Sequence, residues 1–413
     1  MFRKLVTFDE AKELIWKTLQ PKPLGAEEIP LLEAVNRVLA QDITSTVDIP
    51  PFSRSTMDGY AVKAEDTFSA DESQPVKLKV CGFVAIGEMP KVVVGKGEAA
   101  EIVTGAPIPD GADAVIMVED TEREDDVLNV YASVTQNENV LKKGADIKQG
   151  ETVLAAGKVL GSREVGVLAA LGHAKVKVYL EPAVAVFSTG GEVTEPGKPL
   201  PPGKIYDINA YSLYAAVLES GGKPVYAGVV PDEKAPLRRA LVQALVSADV
   251  VLTSGGVSVG PKDITPATVD SLGKPGVFIS GIAVKPGKPT TVALIGDKPV
   301  FSFPGHPTSA LLNFFLLARP VIQALAGRAP SELASIKALA DRRMFSAKGR
   351  RTFVMVRLVL DEDKGILAEP VESGASGAIT TLAKADGFID IAENQQFVDV
   401  GEQVRVWLFK ERA

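Results

Sequence analysis

The 413-residue chain has one cysteine, Cys81, and two histidines, His173 and His306. A single thiol closes no intrachain disulfide and builds no thiolate-only metal cage, and two imidazoles exclude a histidine triad or a multi-histidine metal site. Positive charge is also in short supply: 45 Lys and Arg stand against 52 Asp and Glu, a net charge of −7. That balance argues against general nucleic-acid binding or docking on an anionic membrane, so an anionic ligand would have to meet a local cluster of cations. Long uncharged runs are scarce. The longest, Pro299 to Ala318, is divided by Pro304, Gly305, His306 and Pro307 and does not read as a membrane span. In the opening run MFRKLVTFDEAKELIW, Asp9, Glu10, Lys12 and Glu13 interrupt the apolar core a signal peptide needs. A reducing, cytoplasmic setting is the expectation. Two nucleotide signatures are missing as well, the GxxxxGK[ST] loop and the GxGxxG fingerprint, which weakens ATPase and dehydrogenase readings.

What is present is a chain of changing character, too long for one ordinary core. Thr7 and Glu10 form a capping-box pattern ahead of Ala11, Leu14, Ile15 and Leu19 at helical spacing, and a second helical pattern covers Leu31 to Leu39. Pro50 and Pro51 then forbid helix continuation. Short alternating stretches follow, VKLKV, AAEIV, AVIMV and VLNVYASV, and helical character returns between Ser162 and Gly172. These boundaries predict an N-terminal helical and linker domain of residues 1–47 plus 147–180, with an inserted small β domain at 48–146. Residues 181–327 alternate strand and helix, with helices expected near Asn209 to Ser220, near Glu233 to Ser247 and from Thr265 and Pro266. They predict a doubly wound, mainly parallel α/β domain. FVMVRLVL, GILAEP, GFIDIA and QVRVWLF predict a C-terminal β-barrel-like domain at 331–413. The fold class is therefore α/β and multidomain.

Ligands of open parallel sheets bind beyond the carboxyl ends of the strands. Four loops are expected there: STGGE at 188–192, TSGGVSVGPKD at 253–263, KPGKP at 285–289 and FPGHP at 303–307. Gly255 and Gly256 allow close approach of backbone amides to a phosphate while Ser254 and Ser258 offer hydroxyls; the plainer alternative is a tight turn. Lys285 and Lys288 bracket a stiff turn suited to an oxyanion, or are solvated surface lysines. Glu192, Asp232 and Asp263 are hard oxygen groups that would suit Mg²⁺, although Asp232 could instead cap the next helix and Glu192 could be a loop charge. Asp58 in MDGYA and Thr104 in TGAPIPDGAD each stand beside a glycine-rich turn, where the plain role is turn stabilisation.

Six phrases in order, SRSTMDGYAV, VTGAPIPDGADAVIMVED, FSTGGE, TSGGVSVG, KPGKP and FPGHPTSA, resemble the molybdopterin molybdenumtransferase family, which includes the E domain of gephyrin. The resemblance runs from the first helix to the C-terminal β domain. It implies an elongated homodimer in which the pterin site of the doubly wound domain faces the inserted domain of the partner subunit. It also implies that adenylylated molybdopterin is hydrolysed in a Mg²⁺-dependent step that releases AMP and inserts molybdate, or tungstate, into the dithiolene. Asp58, Thr104, Asp146, Glu192, Asp232 and Asp263 match the family's functional polar positions. Lys285, Lys288, Pro304 and Pro307 match its two proline-rich site loops. Gly191 stands where many members carry Asp, and His306 where Asn is frequent. Other readings are a gephyrin-like scaffold or another pterin- or nucleotide-processing enzyme on the same α/β domain.

Overall fold

The computed structural model describes residues 5–257, 264–329, 333–371 and 379–409. Contacts group the chain into two units, Met1–Ala40 with Gly157–Gly161 and Lys175–Ala413, and Gln41–Ala156 with Ser162–Ala174.

In the first unit the capping box forms as its spacing requires. Glu10 N donates to Thr7 Oγ1 at 3.2 Å and Thr7 N to Glu10 Oε2 at 2.8 Å, opening the helix Phe8–Leu19. Its Ala11 and Ile15 are buried in the main core. The helix expected at Leu31 to Leu39 is not formed. A single 3₁₀ turn, Leu31–Glu33, is followed by Asn36 at φ 67°. Longer-range partners take the backbone instead: Asn36 N donates to Leu160 O, Leu39 N to Lys158 O and Ala40 N to Lys177 O. Tertiary pairing here overrides a local helical period.

The α/β sheet contains β1 (Ala183–Thr189), β2 (Lys223–Val230), β3 (Val250–Ser254), β4 (Pro275–Ser280), β5 (Thr291–Ile295) and β6 (Lys298–Phe303), in the order β2-β1-β3-β6-β5-β4. The first four in that order are parallel, and β5 is antiparallel to both neighbours. The apolar strands are explained by burial on both faces. Val184 and Val186 pack in one core with Leu213 and Val217 of the helix Asn209–Glu219, while Ala185 and Phe187 pack in the other with Leu237 and Leu241 of Lys234–Ser247. A helical run from Pro307 to Leu325 covers the first face. Its length and composition would suit a membrane span, yet 78% of its apolar window is buried in the protein, which makes it a core helix.

Towards the C-terminus five strands, Ser335–Ala340, Arg351–Asp361, Gly365–Pro370, Gly387–Ile391 and Gln403–Leu408, close into a barrel. Closure is possible because the eleven-residue strand Arg351–Asp361 is long enough to pair with both Gly365–Pro370 and Gly387–Ile391.

The second unit carries a six-stranded sheet in the order Ala114–Met117, Gly59–Val62, Glu98–Ile102, Val76–Val84, Val127–Val130 and Thr121–Glu124. Alternation serves two cores, with Tyr60, Val62 and Ile116 on one face and Ala61 and Val115 on the other. Of the stretch VLNVYASV only Val127–Val130 is strand. The helix Ser162–Ala170 begins at Ser162 itself, and Gly172 at φ 82° supplies the left-handed residue its end needs.

Candidate active site

At the carboxyl ends of β1, β3 and β6 the first unit opens a cleft of about 820 Å³. It is lined by the predicted Glu192, Asp232, Ser254, Gly255, Gly256, Pro304 and Pro307 and by His306, and Pro289 brings the fourth loop read from the sequence to the same cleft. Glycine lets the loops touch. At Gly255, φ 98°, an added Cβ would lie 2.2 Å from Thr189 O, and an added Cβ on Gly305 would lie 3.9 Å from Gly255 Cα.

Ser254 is buried, and its hydroxyl donates to Pro304 O at 3.1 Å while accepting from Asn209 Nδ2 at 2.7 Å. Asn209 Nδ2 also donates to Gly305 O at 2.8 Å, and Gly255 N donates to Phe303 O at 3.0 Å. In this arrangement Ser254 ties the β3 and β6 loops together, with its proton already engaged inside the protein.

Asp207 is a site residue that the motif reading missed. It lines the cleft and is 4% exposed. Its Oδ1 accepts from Ser188 Oγ at 2.7 Å and from Ala210 N at 3.1 Å, joining the end of β1 to the first turn of the helix Asn209–Glu219. Its Oδ2 has no partner among the described residues. Burial pushes the Asp207 carboxyl above the ordinary carboxylate value despite those hydrogen bonds. The available signal was the phrase DIN directly before a helical period, which has the form of a cap.

Glu192 and Asp232 are both exposed at the cleft, after β1 and β2. Partial desolvation of the Asp232 carboxyl, and after it the negative charge of Glu192, raise the Asp232 pKa. Asp232 is not a helix cap: the cap position of Lys234–Ser247 is Glu233, with no side-chain cap bond. Ser258 and Asp263 lie outside the described residues. Among the described residues no three His, Cys, Asp or Glu side chains group together.

The lysine turn is placed differently from expectation. Lys285 belongs to the short strand Val284–Lys285, which pairs with Arg351–Thr352 of the barrel sheet and not with the α/β sheet. The reason is the return of the chain: after β4 the segment passes the sheet edge, and Arg351 N reaches Ala283 O. Because β4 runs parallel to β6, this loop still lies at the carboxyl edge, and Pro289 lines the cleft although Lys285 and Lys288 do not. The lysine that does line it is Lys204, whose Nζ donates to Gly191 O. A side chain added at Gly191 would meet nothing within 4 Å, so the loop has room for the carboxylate that the resemblance expects there.

In the second unit Asp58 and Thr104 do come together. Thr104 N and Oγ1 both donate to Asp58 Oδ1, at 2.6 and 2.9 Å, and hold its carboxyl below the usual carboxylate range. Asp146 is exposed, and its backbone N donates to Ile49 O.

Three family models match the chain in succession: the "MoeA N-terminal region (domain I and II)" over residues 6–172, the "Probable molybdopterin binding domain" over 185–324, and the "MoeA C-terminal region (domain IV)" over 337–409. A molybdopterin molybdenumtransferase from Nostoc sp. is 35% identical over 92% of this chain and 88% of its own length. One from Bacillus subtilis is 34% identical over 93% and 90%. The crystal structure of a molybdopterin biosynthesis MoeA protein from Pyrococcus horikosii is 43% identical, covers 99% of this chain and 100% of its own, and superposes with a TM-score of 0.86. Sequence likeness over nearly the full length, on one shared fold, therefore makes this chain a member of the molybdopterin molybdenumtransferase family, enzymes of molybdenum cofactor biosynthesis.

Proposed function

We propose that this chain inserts molybdate, or tungstate, into adenylylated molybdopterin with release of AMP. The observation that carries the reading is the cleft at the strand ends, where the Gly255–Gly256 turn, Asp207, Asp232 and Glu192 converge in the segment matched by the molybdopterin-binding family model. Its size suits a pterin nucleotide, since small-molecule sites commonly enclose about 300 to 1,000 Å³.

Asp207 and Asn209 hold the loops in register, so the cleft is preorganised before substrate arrives. Lys204 brings a compact positive charge to the rim for an anionic substrate. The negative charges at Glu192 and Asp232 fit a cation, because partial desolvation and then the charge of Glu192 make the Asp232 carboxyl harder to ionise until positive charge is supplied. Mg²⁺ held by Glu192 and Asp232, with Asp263, would offset charge on the phosphate that departs as AMP. Asp58, Thr104 and Asp146 are assigned to the same reaction by family likeness, Ser258 to the phosphate turn, and Lys285 and Lys288 to oxyanion recruitment. No protein nucleophile is required, since molybdate or water can attack. We read the protein as a cytoplasmic homodimer, for which light scattering is the direct measurement.

The test is to incubate purified protein with adenylylated molybdopterin, Mg²⁺ and each oxyanion, and to follow AMP release and activation of a cofactor-free molybdoenzyme. Oxyanion-dependent AMP release together with activation is expected. Absence of both with either oxyanion would remove the assignment.

A further inference from the structure

Thr189 lines the cleft and Thr265 packs against Gly256 of its lining, and the reading above uses the hydroxyl of neither. Thr189 ends β1 and is 3% exposed; Thr265 opens the helix Thr265–Asp270 and is 0% exposed. Neither side-chain oxygen has a hydrogen-bond partner among the described residues. Of the other buried threonines nearby, Thr268 Oγ1 donates to Ile264 O at 2.6 Å and Thr290 Oγ1 to Gly287 O at 2.8 Å, whereas Thr253 Oγ1, inside β3, also lacks a partner among the described residues. Buried hydroxyls without partners are costly, which raises the question of what they face.

Those of Thr189 and Thr265 face Gly256. At φ 64°, a Cβ added to this glycine would lie 2.4 Å from Thr265 Oγ1, 3.0 Å from Thr189 Oγ1 and 3.2 Å from Asp232 Oδ1. Three oxygens from three different strand-to-helix connections thus close on one side of one residue. The set is two neutral hydroxyls and one carboxylate, with Glu192 acting on the same carboxylate. An anion seated there would add like charge, whereas hard oxygen donors of this kind match a small divalent cation and the waters it retains. A Ser or Thr hydroxyl on Mg²⁺ is the usual partner of a carboxylate at phosphate sites.

We propose that the Thr189 and Thr265 hydroxyls, together with Asp232, form the seat of a divalent cation of the Mg²⁺ class, as ligands to the ion or to its waters. The inference deepens the Mg²⁺-dependent reading above and rests on it. It assigns the unpartnered oxygens a purpose and makes Gly256 obligatory, because any side chain there would fill the space they share.

The physical signature is a divergence between binding and stability. Thr→Val keeps the shape and removes an oxygen that has no protein partner, so a packing role alone predicts an unchanged or higher melting temperature. A seat predicts the same melting result together with weaker cation binding. Mn²⁺ serves as the probe, titrated into the full chain without pterin and followed by electron paramagnetic resonance, beside a thermal melt of each preparation. Thr189→Val and Thr265→Val are expected to weaken Mn²⁺ binding about tenfold to a hundredfold, with Thr→Ser at either position restoring it. Thr→Ala deletes the same oxygen and replaces any valine variant that does not fold. If the wild type binds Mn²⁺ and the variants bind it equally well, the seat is overturned while the Mg²⁺ reading stands. If affinity and melting temperature fall together, the hydroxyls are structural and the seat is again overturned. A wild type that takes up no Mn²⁺ at millimolar concentration overturns both.

Discussion

Asp207 and Asp58 are bonded almost alike and behave in opposite ways. Each accepts one hydroxyl and one backbone N–H on its Oδ1, from Ser188 and Ala210 in the first unit and from Thr104 alone in the second. Yet Asp207 is pushed above the ordinary carboxylate value of 3.8 and Asp58 is drawn below it. The difference is water. Asp58 is exposed, so the donors around its carboxylate decide the outcome; at Asp207 desolvation outranks the same kind of donors. Hydrogen-bond pattern alone does not give the sign of a pKa shift.

The contrast between a buried, interlocked cleft and an exposed loop can be broken most forcefully at glycine. Gly255→Ala would put a side chain at φ 98° and 2.2 Å from Thr189 O, whereas Gly87 of the second unit, at φ 86°, has nothing within 4 Å of an added Cβ. Gly255→Ala is expected to cost about 3 kcal/mol, and Gly87→Ala about 1 kcal/mol from backbone strain alone. Urea unfolding of the two variants measures the gap; equal losses would show that the loop contact at Thr189 is readily relaxed.

A smaller effect is expected from side-chain deletion. Asn209→Ala removes the donor to Gly305 O and the bond that the Ser254 hydroxyl accepts, so a loss of about 1 to 3 kcal/mol is expected. Thr104→Ala, in the exposed loop, should stay within about 0.5 kcal/mol. Melting curves for both would sharpen the comparison, and a large loss at Thr104 would reverse it.

The smallest effects lie in the pH dependence, and their signs are opposite. Asp58 has a lowered pKa, so its contribution is present above 3.8 and is lost as pH falls through its folded value. Asp207 has a raised pKa, so its ionised form is penalised in the folded state and stability is regained as pH falls through the folded value towards 3.8. Compared with Asp207→Asn, the wild type should gain relative stability on acidification; compared with Asp58→Asn, it should lose it. Denaturation midpoints from about pH 7 to about pH 3 measure both, and slopes of the same sign would refute the distinction.

Local chemistry was enough for much of the architecture. The Thr7–Glu10 capping box, the apolar strands β1 and β3 and the left-handed Gly172 follow from short-range rules, because their determinants lie within a few residues of one another. The glycine turn at Gly255–Gly256 and the carboxylates Glu192 and Asp232 were legible for the same reason, as polar residues directly after strands. The Leu31 to Leu39 segment shows the limit. Its period is helical, but partners at Lys158, Leu160 and Lys177 claim its backbone, and no local pattern reports them.

By itself, then, the sequence determined the α/β alternation, the late β domain and which loops gather at the strand ends, since hydrophobic period and turn chemistry are local properties. Tertiary structure alone decided that the turn of Lys285 joins the barrel sheet while Lys204 lines the cleft. It alone buried Asp207 against Ser188 and turned the oxygens of Thr189, Thr265 and Asp232 towards one glycine. Those outcomes depend on which strand returns beside which and on how much water the packing leaves. Both are set by groups far apart in the chain, so neither can be read from any single stretch of it.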